Sequence, residues 1–60
     1  MTQKILVFRI LPVKDGEVPT HESREIVAPS REKGQAKLLE RIKKEFKEYK
    51  VVHIESVDEI

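Results

Sequence analysis

His21 and His53 are the only imidazoles in this 60-residue chain, which also lacks cysteine. A metal centre needs at least a third ligand and convergent geometry. His21 sits beside Glu22 in a turn-rich stretch and His53 in an apolar run, so a partner chain would have to bring them together. They read as surface or interface histidines. Ser30 precedes a helical pattern, a position where nucleophiles occur, but no histidine is placed to activate it. Its hydroxyl is better used as an N-cap, accepting from free N–H groups of the first turn. Pro29-Ser30-Arg31-Glu32-Lys33-Gly34 has the outline of a phosphate loop without its glycine count or its closing Lys-Ser/Thr. Asp58 and Glu59 are adjacent on an extended segment, so their side chains diverge. No catalytic, metal-ligating or cofactor-binding residue is expected, and a domain this small has little room for an enclosed pocket.

The remaining chemistry is charge. Residues 30–50 hold eight basic side chains against four acidic ones, a net of +4, while the whole chain is +1. A phosphate-facing helix would use Arg31, Lys33, Lys37, Lys43, Lys44, Lys47 and Lys50, with Lys43, Lys47 and Lys50 along one flank. The competing reading is a solvated helix balanced by the acidic tail at Asp58 and Glu59. Dedicated nucleic-acid modules are more basic than this. Phe8, Phe46 and Tyr49 fit a core or its edge rather than base-stacking platforms.

These residues must be positioned by a few short elements. Residues 4–11 alternate as a strand, with Leu6, Phe8 and Ile10 on one face and Ile5, Val7, Arg9 and Leu11 on the other. Residues 12–22 form a loop in which Asp15-Gly16 marks a turn between Pro12 and Pro19. A tight turn there sets Ile26 opposite Ile5; a register shifted by one sets it beside Leu6. Residues 23–28 suit a short edge strand. A helix follows the Ser30 cap, firm from Gln35 to about Tyr49 because Gly34 weakens its first turns. Its apolar stripe is Leu39, Ile42, Phe46 and Tyr49, widened by Ala36 and Leu38. Glu40–Lys44, Arg41–Glu45 and Lys44–Glu48 are spaced to form ion pairs on the wet side. Residues 51–57 form the last strand, with Val52 and Ile54 on one face and Val51, His53 and Val57 on the other. Assembled, these elements predict one α+β domain, β-β-α-β. Its antiparallel three-stranded sheet has the order 2-1-3, with the helix on one face and a right-handed crossover.

The bare sheet face then carries Ile5, Val7, Leu11, Val51, His53 and Val57, an apolar patch expected to be an interface. A 60-residue chain without disulfides also has a marginal core, which a partner would extend. No run is long enough to span a membrane, and the opening residues lack a signal-peptide pattern. The absence of cysteine is compatible with a reducing, cytoplasmic setting. The absence of Asn and the abundance of Lys and Glu give a thermophile-like composition.

Val7-Phe8-Arg9-Ile10 and Ile54-Glu55-Ser56-Val57-Asp58-Glu59-Ile60 resemble the opening and closing strands of the archaeal ribosomal protein LX family. The hairpin and single charged helix between them are similar too. The resemblance implies a large-subunit component that binds ribosomal RNA. The family carries a Gly- and Lys/Arg-rich segment between helix and last strand, whereas here Lys47-Glu48-Tyr49-Lys50 leads directly into Val51. The opening hairpin is also similar to the start of ferredoxin-type β-grasp domains, without their cluster cysteines. The expectation is a non-enzymatic interaction module, a homodimer or a subunit of a larger assembly, with an LX-like RNA-binding protein as the alternative.

Overall fold

The structure, a computed structural model, describes residues 2–60. The elements are β1 (Lys4–Val13), β2 (Glu22–Ala28), α1 (Arg31–Glu45) and β3 (Val51–Glu59). β1 lies between the other two strands and is antiparallel to both, giving the expected order β2-β1-β3. Strand β1 runs past Pro12 because the missing N–H does no harm there. Pairing with β2 ends at Ile10–Glu22, so the proline nitrogen points to a side already without a partner.

The hairpin takes the shifted register, with Leu6 opposite Ile26 and Ile5 opposite Val27. Gly16 adopts a positive φ of 83° in the intervening loop, as a turn glycine does. This register gathers Leu6, Phe8, Ile10, Ile26 and Ala28 on one face, where Leu38 and Phe46 close the core.

Helix α1 keeps the expected Ser30 cap and ends short of the expected Tyr49. It starts at Arg31, capped by the Ser30 hydroxyl, which accepts from the Lys33 N–H at 3.3 Å. It ends at Glu45, and Phe46 leaves the helix with its N–H still bonded to Ile42 O. The buried line is Gly34, Leu38 and Phe46, with Ile42 half-buried between them; Leu39, expected in the stripe, is 44% exposed. Gly34 explains the rotation. A β-carbon there would overlap the Leu6 Cδ1, so the glycine lets the helix backbone approach the sheet and fixes which face turns inward. Beyond the helix, the Phe46 and Tyr49 rings meet edge to face at 5.0 Å.

Strand β3 carries an irregularity that its sequence did not announce. Arg9 pairs with Ser56 but Ile10 pairs with Ile54, so Glu55 is an extra residue. The bulge reverses which side chains face the helix. Val52 and Ile54 lie on the core face as expected, and so does Val57, opposite Phe8 and packed against the core. Val57 is therefore removed from the bare face to which simple alternation assigned it.

Candidate interaction surfaces

The sheet face away from the helix is built from the odd-numbered residues of β1 and their partners. Val27, Ile5 and Ile60 form one row, then Glu25, Val7 and Asp58, then Ser23, Arg9 and Ser56. His53 follows opposite Leu11, and Val51 opposite Val13. Ile5, Val27 and Val51 are 39%, 47% and 42% exposed, while Val7, Leu11 and Val13 are half-buried and His53 is exposed. The expected single patch is thus split. Arg9, exposed between Ser23 and Ser56, lies among the apolar residues, so the face has two apolar ends and a polar waist. Val13 and Val27 belong to it although neither was expected there. Their signal was the length of β1 and the register of the hairpin.

The two sheet edges are unlike each other. Backbone groups along a central strand point alternately to its two neighbours. Ile5 O accepts from Ile60 N–H and Val13 O from Lys50 N–H, each at 2.9 Å, so the odd residues of β1 serve β3 and the even ones serve β2. Opposite the odd residues, Ser23, Glu25 and Val27 of β2 must then point outward. Two of those outward carbonyls are taken. Arg24 Nη1 donates to Ser23 O at 2.8 Å, and Lys37 Nζ donates to Val27 O at 2.9 Å. On β3 the outward residues are Val52, Ile54, Val57 and Glu59, which face even-numbered partners. Among the described residues no side chain bonds to their backbone. The edge of β2 is thus partly capped, through two of its three outward carbonyls, and that of β3 is open.

Arg24 anchors the capped side. Its side chain, 18% exposed, binds Glu45 at 3.0 Å and Glu22 at 2.8 Å and lies 5.4 Å from the centre of the Phe46 ring. The hydrogen bond from Arg24, assisted by one from Arg41, holds the Glu45 carboxyl below its usual pKa. The same carboxylates raise the pKa of Arg24.

The basic residues expected to meet phosphate fall into two groups. Arg31 reaches Glu59 at 3.5 Å, Lys50 lies 4.0 Å from Asp15, and Lys37 is held at the β2 edge. Lys33, Lys43, Lys44 and Lys47 are exposed and make no ion pair among the described residues. Since α1 ends at Glu45, Lys47 and Lys50 lie beyond it and do not continue a helical flank with Lys43. Of the three ion pairs expected along the helix, only Arg41–Glu45 forms, at 2.8 Å.

The histidines stay apart in role. His21 Nε2 meets Glu55 Oε1 at 2.6 Å, tying the hairpin loop to the bulge, while His53 lies on the bare face. No three His, Asp or Glu side chains converge on a metal position among the described residues. The hollow lined by Pro12, Lys14, Glu17, Val18, Pro19, Thr20, Glu22 and Tyr49 measures about 170 Å³. That is below the range of small-molecule sites, roughly 300–1,000 Å³. No described helix is long and apolar enough to cross a membrane. No protein-family model, curated protein or solved structure matches this chain.

Proposed function

We propose that this chain is a small non-enzymatic interaction module that works in a reducing, cytoplasmic setting by binding another polypeptide, as a homodimer or as a subunit of a larger assembly. The open edge of β3, set against a capped β2 edge, carries this reading. Free strand edges are templates for another chain, and native proteins block the edges they do not use. Here Arg24 and Lys37 occupy two of the three outward carbonyls of one edge, and no side chain occupies those of the other among the described residues. The apolar ends of the bare sheet face give the same reading a second contact area. Sedimentation equilibrium at micromolar concentration tests it, paired with mass spectrometry of what co-purifies from the native cell. A dimer mass or a stoichiometric protein partner is the expected result. A clean monomer that retains no protein rejects it.

A second reading, an LX-like RNA-binding protein, is favoured by Lys33, Lys43, Lys44 and Lys47, whose ammonium groups pair with no carboxylate among the described residues. Phosphate contacts by these lysines would release counterions and make affinity fall steeply with salt. Reversing all four to Glu is expected to weaken RNA binding and flatten its salt dependence. An unchanged salt slope rejects this surface.

A further inference from the structure

We infer that the open edge of β3 is completed by β3 of a second copy, antiparallel, with Ile54 opposite the partner's Val57. The inference rests on the interaction-module reading and names its partner, surface and register.

Self-pairing of an edge strand about a two-fold axis places two demands on register. Outward backbone groups must meet outward groups, and paired side chains must share a face. In a regular strand both alternate with period two, so a residue can face itself or a residue an even number of positions away. The bulge at Glu55 changes that parity. Ile54 and Val57 stand on either side of it, yet both face the helix side and both turn their backbone outward. The same shift relates Val52 to Glu59 and His53 to Asp58. An antiparallel pair centred on the bulge therefore satisfies both demands on either side of it, with Glu55 meeting the partner's Ser56 at the axis.

The side chains suit that register. Ile54 meets the partner's Val57 twice about the axis, joining two half-buried apolar residues on the core face. On the opposite face, Val51 meets the partner's Ile60, covering residues that are 42% and 80% exposed. His53 meets the partner's Asp58, an imidazole beside a carboxylate. Only the Val52–Glu59 pair is mixed. The product is a continuous sheet ordered β2-β1-β3-β3-β1-β2, whose outer edges are the capped ones. This accounts for the cationic caps on β2 and their absence on β3.

Amide hydrogen exchange by NMR on the unmodified protein tests the edge. The outward amides of Val52, Ile54, Val57 and Glu59 are expected to gain protection as concentration rises, while those of Ser23, Glu25 and Val27 exchange freely throughout. A dimer by sedimentation with those β3 amides still exchanging freely overturns this inference and leaves the interaction-module reading standing. A monomer at every concentration overturns the inference, and the module reading falls as well only if no protein co-purifies. Charge exchange tests the register. His53→Asp sets like charges opposite each other twice and is expected to weaken association on the order of tenfold. Adding Asp58→Lys to that variant restores it in this register, and failure to restore overturns the register.

Discussion

Gly34 is the residue whose role was least visible from its type. Glycine in a helix costs about 1 kcal/mol relative to Ala, so Gly34 marked a weak start. In the fold it is buried, and a β-carbon there would fall on the Leu6 side chain. Gly34→Ala gains helix propensity but forces the buried Leu6 side chain to move, and overpacking costs about 1–3 kcal/mol. The variant should be less stable in urea despite the better helix former. Leu6→Val, added to it, should recover part of the loss. Glu45 supplies a pH-dependent term. Its carboxyl is held low by Arg24 and then Arg41. Its contribution is therefore present above the unfolded carboxylate value and is lost as pH falls through the folded one. Glu45→Gln should be less stable than the parent at neutral pH, and the difference should shrink on acidification. A constant difference across that range, measured by urea melts, would contradict the assigned ion pair.

At the scale of elements, the test is which face of α1 turns inward. Leu38 is fully buried and Leu39 is 44% exposed. Leu38→Ala should cost roughly 2–5 kcal/mol and Leu39→Ala well under that. Equal losses would mean that the helix is rotated from its assigned face. The sequence pattern supported three strands, one helix, their order and the Ser30 cap, because alternation, turn residues and capping chemistry are local signals. It misplaced Leu39 and Val57 for two different reasons. Leu38-Leu39 offers two adjacent apolar residues, and periodicity cannot choose between them; the close approach at Gly34, a tertiary constraint, does. Val57 follows the bulge at Glu55, and nothing in the residue types forces an extra residue there. The candidate site was legible in the same measure. Ile5, Val7, Leu11, Val51 and His53 lie on the bare face as the alternation of β1 and early β3 predicts. The difference between the two edges was not legible, because it depends on where the long side chains of Arg24 and Lys37 end.

The whole molecule is elongated, about 44 × 18 × 13 Å, and its helix packs mainly against β2. Leu6, Phe8, Ile10, Ile26, Ala28, Leu38 and Phe46 form the buried core, while Val52, Ile54 and Val57 of β3 are only half-buried against it. The long ladder between β1 and β3 joins residues 5–13 to residues 51–60, so it also sets a timetable. Its innermost pair, Val13–Val51, still closes a far longer loop than the hairpin or the helix does, and such closure is entropically demanding. The docking of β3 should then be the rate-limiting step of folding. Val57→Ala, expected to cost about 1 kcal/mol, should slow refolding and leave the unfolding rate nearly unchanged in stopped-flow measurements. On that schedule, the strand with the open edge is the last piece of the monomer to settle. Each newly made copy would spend the final stage of folding with a template exposed at β1, to which its own β3 and that of a neighbour both have access. Expression level would then influence whether copies exchange strands as they fold.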